Sequence, residues 1–293
     1  MILWIILNKV IIKKNISLKT FTTIRLGGIG KKILFPENLE DIHSITDILI
    51  SPKTLILGKG SNIAFNDKGY NGNIISLKYF KKTDISIENK KYINLSANIS
   101  CARLAKYCYK KKIPGFEFLH GIPGTLGGAL IMNAGAFKQE IWDSVHSARF
   151  VDSHGALKVW PRERFKTSYR KIYRDKIALF LDLTLMINTK KKFNKDLLGK
   201  YSNLRTDTQP VKQWSSGCIF KNPSKDISAS YLIDSSDILP RRIGGIYISN
   251  KHCNYFINDG TGTCKDLVKL IEHVQNVVKG KYNILLKKEI CIF

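Results

Sequence analysis

A thiol directly after a glycine and three residues before a lysine is placed to give or take a proton. Cys218 is such a thiol, within Ser215-Ser216-Gly217-Cys218-Ile219-Phe220-Lys221-Asn222-Pro223. Free cysteine titrates near pH ~8.5 and a nearby cation lowers that value, which suits general acid–base work. A small buried hydrophobe is the other role open to a lone cysteine. Arg170, in Ser168-Tyr169-Arg170, can clamp a carboxylate, and Glu289, in an apolar C-terminal strand expected over 284–292, can serve as an interior acid. On the residues alone, each is more simply a surface or ion-paired side chain. His252, in Ser249-Asn250-Lys251-His252, reads as a polar loop residue, and the six histidines show no metal-ligand spacing.

Two glycine-rich runs suggest a second kind of chemistry. Gly58-Lys59-Gly60-Ser61-Asn62 directly follows the apolar run Leu55-Ile56-Leu57. Consecutive N–H groups, unobstructed at the glycines, can close around a phosphate there, with Ser61 and Asn62 as added donors. The run lacks the third glycine and following helix of the Rossmann fingerprint and is no P-loop, so a tight turn between strands is an equal reading. The second run is Gly121-Ile122-Pro123-Gly124-Thr125-Leu126-Gly127-Gly128-Ala129, followed by Met132-Asn133-Ala134-Gly135-Ala136. So many glycines cost chain entropy unless the backbone must come close to something. That something is either another layer of the fold or a large planar cofactor and its pyrophosphate. Two such loops in one chain favour the cofactor.

Hydrophobic periodicity outlines the scaffold that must position these groups. Residues 16–77 mix short strands (32–35, 54–57, 73–77) with a helical pattern over 39–50. A second unit opens on the alternating segment 92–97, passes through a helix over 102–111 into the long glycine run, and continues in strands at 148–151 and 178–187. The lysine-rich passage 190–200 is the best linker, and a domain boundary is expected there. Beyond it lies the clearest helix, with Leu267, Leu270, Ile271, Val274, Val277 and Val278 on one face. Thr263 with Asp266 resembles a capping box, and Gly280 is the expected C′ residue. Domains are expected over 1–78, 79–190 and 200–293, in an α+β rather than a doubly wound fold.

The 293 residues carry 48 Lys+Arg against 23 Asp+Glu, a formal net charge of +25. At 44% hydrophobic and 24% charged the chain can bury a core of domain size, which excludes disorder, collagen and coiled coil. The charge raises the local concentration of any anionic partner without choosing among nucleic acid, phosphorylated cofactor and nucleotide sugar. Its lysines are scattered, as on a solvated surface. Six cysteines (Cys101, Cys108, Cys218, Cys253, Cys264, Cys291) form no C-x-x-C pair, so a reducing compartment is expected and structural zinc is not. The apolar stretch 1–7 is interrupted at Asn8 and Lys9, far short of the roughly 20 residues of a membrane span, and lacks the flanks of a signal peptide. A cytoplasmic protein is expected.

Taken in order, these segments resemble the UDP-N-acetylenolpyruvoylglucosamine reductases, the MurB family of bacterial peptidoglycan synthesis, from about Thr22 to Glu289. Thr22-Thr23-Ile24-Arg25-Leu26-Gly27-Gly28 is similar to the family's opening T-T-x-x-x-G-G, Gly58 to Asn62 to its G-x-G-S-N, and Gly121 to Ala136 to its G-I-P-G-x-x-G-G-A…M-N-A-G-A. Tyr169-Arg170, Gly217 to Pro223, Ser249 to His252 and Glu289 follow in the family's order. The resemblance implies two N-terminal FAD-binding subdomains of the vanillyl-alcohol-oxidase/PCMH-like type (1–78 and 79–190) and an α+β substrate-binding domain (200–293) with a C-terminal catalytic strand. It implies hydride transfer from NADPH through FAD to C3 of UDP-N-acetylglucosamine enolpyruvate and protonation at C2, giving UDP-N-acetylmuramate for cell wall biogenesis, cell shape and cell division. By the same resemblance Arg170 and Glu289 stabilise the negative charge that develops on the substrate, and Cys218 donates the proton. Gly58, Lys59, Gly60, Ser61, Asn62, Ile122, Pro123, Gly124, Gly127, Gly128, Asn133 and Ala134 would hold FAD; Tyr169, Asn222, Lys251 and His252 would hold the substrate.

The chain departs from the family pattern in places. Cys218 stands where the family often has serine, and a thiol is the more acidic donor. Y-R-x-S reads Tyr169-Arg170-Lys171-Ile172, Lys138 replaces a glycine, and a glycine is missing near Leu239 to Arg242. The length matches the shorter subtype. Three other readings compete: another FAD-linked oxidoreductase of the same flavin-binding fold, which the set Arg170, Cys218 and Glu289 discriminates against; a basic nucleic-acid-binding module, which explains the charge but not the glycine loops; and a decayed, inactive member of the reductase family, which the departures at Lys171 and Leu239 favour and the same three positions argue against. No nucleic-acid or membrane partner is expected.

Overall fold

Alternation in Ile-Ala-Leu-Phe-Leu-Asp-Leu-Thr-Leu-Met builds the longest strand, Ile177–Met186, whose odd-numbered residues from Ile177 to Leu185 are all buried. The computed structural model that contains it describes residues 10–81, 85–173 and 177–293. The apolar stretch 1–7, with Asn8 and Lys9, lies outside the described residues. By compactness the chain divides into two units. The first comprises Lys32–Gly58, Gly72–Ser202 and the described part of Met1–Lys14; the second comprises Asn15–Lys31, Lys59–Asn71 and Asn203–Phe293.

Strands β1 (Ile11–Ser17), β2 (Ile29–Phe35), β3 (Thr54–Ile56) and β4 (Tyr70–Ile75) form a sheet of order β1-β2-β4-β3, with β3 and β4 parallel. Strands β5 (Ser86–Glu88), β6 (Tyr92–Ser96), β7 (Val145–Asp152), β8 (Leu157–Pro161) and β9 (Ile177–Met186) form an antiparallel sheet of order β8-β7-β9-β6-β5. In the centre of that sheet Leu183 pairs with Ala148 on one side and Leu95 on the other. One core of the first unit gathers Trp142, Phe150, Phe165 and Phe180 around the sheet, and a second packs Leu179 and Leu181 against Leu34, Ile42 and Ile75. The helix expected over 39–50 is broken in two, α1 (Leu39–Ser44) and α2 (Thr46–Leu49), because Ile45 leaves helical geometry at φ −109°, ψ 16°. Helix α3 (Cys101–Lys110) starts where the Ser100 side chain accepts from Arg103 N, and it buries Cys101, Leu104, Ala105 and Cys108. Helix α4 (Leu126–Ile131) is one short run inside the glycine-rich segment.

Helix α5 (Leu197–Thr208) buries no residue. In the second unit, α6 (Ala229–Asp234) and α7 (Cys264–Tyr282) pack on the antiparallel strands β10 (Arg242–Ile243), β11 (Ile246–Ile248) and β12 (Phe256–Asn258). The apolar face of α7 is the expected one, and Thr263 and Asp266 close a true capping box. Its end is not the expected one. The helix runs through Gly280 and stops at Asn283, which adopts the left-handed conformation (φ 54°) that asparagine tolerates among non-glycine residues. Residues 284–292 are also not one strand: Lys288 makes an isolated bridge to Phe220, and only Cys291–Ile292 pairs further, parallel to Ile63–Ala64. Among the described residues no helix is long and apolar enough to cross a membrane.

Candidate active site

The two glycine loops meet. A Cβ on Gly58, just past β3, would lie 2.9 Å from Thr125 Oγ1, so the first loop packs against the second where only a hydrogen fits. Gly60 is constrained more tightly: at φ +63° its Cβ would fall 2.0 Å from Phe21 O. The N–H groups of Gly58, Lys59 and Gly60 donate to no described residue, which leaves three consecutive donors for an anionic oxygen. Asn62 spends its side-chain amide on Glu289 O at 2.9 Å. Gly60→Ala is therefore expected to destabilise the protein by about 1–3 kcal/mol from backbone strain alone and to lower flavin content. Thermal melting with and without added FAD checks this, and an unchanged melting temperature would contradict it.

In the second loop Gly124 takes φ +117° and Thr125 caps α4 through Gly128 N at 3.4 Å. Leu126 N and Gly127 N donate inward, to Ile99 O at 2.9 Å and Ala97 O at 2.7 Å. A Cβ on Gly127 would sit 3.3 Å from the Ala97 Cβ. These glycines hold α4 close to the end of β6, so their amides serve packing, and Ile122, Pro123 and Gly124 lie at the front of the same turn. Behind it, Ala134 N donates to Ala129 O. Asn133 is buried and left-handed at φ 40°. Its amide donates to Glu140 Oε2 at 2.6 Å and Ser168 O at 3.0 Å, while its Oδ1 has no partner among the described residues. A buried orphan acceptor is costly unless a ligand donor meets it.

Arg170 belongs to this wall. Its guanidinium donates to Asn133 O at 3.3 Å and Gly135 O at 2.9 Å, and its carbon lies 5.0 Å from the centre of the half-exposed Tyr169 ring. The backbone at Arg170 is itself left-handed, φ 53°. A cation so tethered has a fixed position from which to receive a carboxylate.

Cys218 and Glu289 both lie in the second unit. Cys218 is partly buried and bridges in antiparallel fashion to Tyr255. Around it Asn254 returns both its groups to Phe220, with Nδ2 donating to Phe220 O at 2.8 Å and Oδ1 accepting from Phe220 N at 2.9 Å. On the other side Glu289 N donates to Ile219 O at 2.7 Å, and Lys221 N to Lys287 O at 2.9 Å. The thiol segment is thus held between the 254–256 and 287–290 stretches. Gly217 before it, φ +77°, has open space where a Cβ would stand. Cys218 and Glu289 also act together on one group: their charges both raise the pKa of Tyr255, after the larger effect of burial. Of the expected substrate residues, Asn222 Oδ1 accepts from Ala229 N at the start of α6, and Lys251 Nζ donates to Thr206 O. His252 keeps its Nδ1 buried and without a partner among the described residues.

Burial, followed by neighbouring cations, lowers the pKa of both His120 and His252. Their folded values then lie below the unfolded value of about 6.5, so the unfolded chain binds more protons in that window. Stability from this source is present above pH ~6.5 and lost as pH falls below it. The melting temperature is expected to drop between pH ~6.5 and ~5, and less so in a His120→Asn/His252→Asn double variant; equal pH slopes in the two proteins would contradict this.

Sequence reading missed Tyr255, which bridges to Cys218, and Gln209, whose Oε1 accepts from the Tyr255 hydroxyl at 2.9 Å. Tyr255 lies in the apolar run Tyr255-Phe256-Ile257 and reads as core, and Gln209 sits in a polar stretch with no motif.

The first unit carries a glycine-lined wall with a tethered guanidinium and the second carries a thiol and a carboxylate, and comparison with known proteins specifies the cofactor domain. Residues 31–159 match the family model of the FAD binding domain, and residues 209–293 match that of the UDP-N-acetylenolpyruvoylglucosamine reductase C-terminal domain. The UDP-N-acetylenolpyruvoylglucosamine reductase of Legionella pneumophila (strain Corby) is 33% identical over 285 residues, covering 95% of this chain and 91% of that protein. That of Clostridium novyi (strain NT) is 32% identical over 292 residues, covering 98% and 94%. The crystal structure of UDP-N-acetylenolpyruvylglucosamine reductase from Thermus caldophilus superposes with a TM-score of 0.78 at 27% identity, covering 97% of this chain and 99% of that one. The chain is a flavin-binding α+β protein with a reductase C-terminal domain. It belongs to the UDP-N-acetylenolpyruvoylglucosamine reductase family.

The residues present fit FAD. The N–H groups of Gly58, Lys59 and Gly60, which donate to no described residue, suit a pyrophosphate, and Asn133 Oδ1, without a partner among the described residues, suits a ring N–H or hydroxyl donor.

Proposed function

We propose that this protein reduces the enolpyruvyl ether of UDP-N-acetylglucosamine to the lactyl ether, UDP-N-acetylmuramate, in peptidoglycan precursor synthesis, with FAD as cofactor and NADPH as hydride source. The observation that carries the reading is the order of two family domains in one chain, a flavin domain over the glycine loops and a reductase domain over Cys218 and Glu289. Binding duties divide with FAD on 1–78 and 79–190 and substrate on 200–293. When bound, FAD supplies two-electron hydride chemistry.

The chain's own residues supply the rest. Gly58 to Asn62, Ile122, Pro123, Gly124, Gly127 and Gly128, with Asn133 and Ala134, hold the cofactor. Arg170 and Glu289 face the substrate as its C3 gains a hydride, and the Arg170 cation stabilises negative charge drawn onto the substrate carboxylate. Cys218 then gives its proton to C2; the S–H bond breaks, a C–H bond forms, and the electron pair stays on sulfur as thiolate. Tyr169, Asn222, Lys251 and His252 orient the nucleotide sugar. The net charge of +25 favours anionic ligands.

Mass analysis of the nucleotide sugar tests the reading. Protein loaded with FAD and supplied with NADPH and the enolpyruvyl ether is expected to return a product heavier by two hydrogens. NADPH consumption with the nucleotide sugar unchanged would contradict it.

A further inference from the structure

The Arg170 guanidinium is held by two carbonyls, and one of them sits on a hairpin. Gly135, whose O accepts from Arg170 at 2.9 Å, opens the pair Gly135-Ala136, which lies antiparallel to Gln139-Glu140. Phe137 and Lys138 alone make the turn. Both take left-handed backbone, φ 53° and φ 60°, as a two-residue turn between antiparallel strands requires. Asparagine and glycine fill such turns at little cost, whereas an aromatic residue followed by lysine is strained there. The hairpin reaches the rest of the wall as well. Glu140 Oε2 accepts from the Asn133 amide at 2.6 Å, and that amide also donates to Ser168 O, two residues before Arg170. A shift of the hairpin therefore moves the anchors of the guanidinium.

A strained turn persists only where its surroundings hold it. Here the holding group is the Tyr201 ring, near the start of α5, which lies flat on Phe137 with centroids 3.7 Å apart and planes 6° from parallel. Both rings are partly buried and pack on the core that contains Trp142 and Phe165. A second hold lies beside the first. Lys191 Nζ donates to Gln139 Oε1 at 3.0 Å, so the lysine-rich passage 191–201 grips the hairpin at its tip and just past it. Lys138 is exposed, and burial of its own side chain does not offset the strain.

We propose that Tyr201 and Phe137 are positioning residues, whose stack clamps the strained hairpin and so fixes Gly135 O and the Arg170 guanidinium that donates to it. This rests on the reaction proposed above, in which Arg170 stabilises negative charge drawn onto the substrate carboxylate. Such a clamp acts on aim rather than on charge. Loosened, Arg170 keeps its cation but spreads it over several positions, and the stabilisation that depends on alignment falls. Tyr201→Leu removes the flat ring; Tyr201→Phe keeps it.

The FAD-loaded protein carries the test. Hydrogen exchange followed by peptide mass reads the hairpin without any turnover, and the amides of 135–140 are expected to exchange about tenfold faster in Tyr201→Leu. Reoxidation of NADPH-reduced flavin by the enolpyruvyl ether is expected to slow about tenfold in that variant, with flavin reduction near the wild-type rate. Tyr201→Phe is expected to restore both. Because the clamp works through Arg170, Tyr201→Leu in an Arg170→Ala background is expected to cause no further slowing. Lys138→Gly relieves the turn and is expected to recover part of the rate lost in Tyr201→Leu. Tyr201→Met keeps apolar volume without a flat ring, and carries the test should Tyr201→Leu fail to fold. Unchanged exchange over 135–140, equal slowing of both half-reactions, or full slowing in the Arg170→Ala background would overturn the positioning role. Failure of the wild type to be reoxidised by the substrate would instead overturn the reaction itself.

Discussion

Replacement of Cys218 by alanine is expected to leave reduction of the bound flavin by NADPH near its wild-type rate and to slow reoxidation by the enolpyruvyl ether by about 10²–10⁴-fold, the usual contribution of a positioned general acid. The two effects separate because the proton is needed only once the substrate carbon has received its hydride. The substitution is also mild structurally. Cys218 is partly buried, and its segment is held by the backbone bonds between Ile219 and both Asn254 and Glu289. Cys218→Ser keeps a donor of higher pKa and is expected to recover part of the loss. Stopped-flow absorbance resolves both half-reactions, and an unchanged reoxidation rate in Cys218→Ala would remove the thiol from the mechanism.

Arg170→Ala is expected to lower turnover by about 10²–10³-fold, as removal of one well-aimed donor does elsewhere, and to weaken FAD binding by far less. The guanidinium does not pack in a core; it reaches the carbonyls of Asn133 and Gly135 and lies against Tyr169. Its loss frees the carbonyls of Asn133 and Gly135, which water can satisfy, and removes the positive charge proposed to receive the substrate carboxylate. Arg170→Lys keeps the charge but not the two-pronged geometry, so an intermediate rate is expected. Flavin titration beside steady-state kinetics separates the cases: a protein that loses its FAD would make Arg170 a structural residue instead.

How much of this was legible before any coordinates depended on how local each signal is. The face of α7 and its Thr263–Asp266 box depend on neighbours within a few residues, and both stand as expected. Its end at Asn283 rather than Gly280 does not follow from propensity, because Gly280 meets nothing within 4 Å and has no reason to leave the helix. Apolar content over 284–292 suggested a strand, yet Leu286 and Ile290 are buried by side-chain packing in the second unit's core without a continuous ladder. The glycines of 121–135 were legible as positions where backbone comes close, and Gly127 against Ala97 and Gly135 against Gln139 O do so. Which partner each loop amide takes was not: Leu126 and Gly127 turn theirs inward to Ile99 and Ala97. Tyr255 and Gln209 were invisible as a pair because tertiary pairing alone brings 209 to 255.

The most direct test of the central claim is an anaerobic absorption spectrum of the purified, FAD-supplemented protein, recorded alone, after NADPH, and after the UDP-sugar enolpyruvyl ether. Flavin absorbance is expected to bleach with NADPH and to return with that substrate. Bleaching without return would contradict the assigned substrate, and correctly folded protein that retains no flavin would contradict the account as a whole.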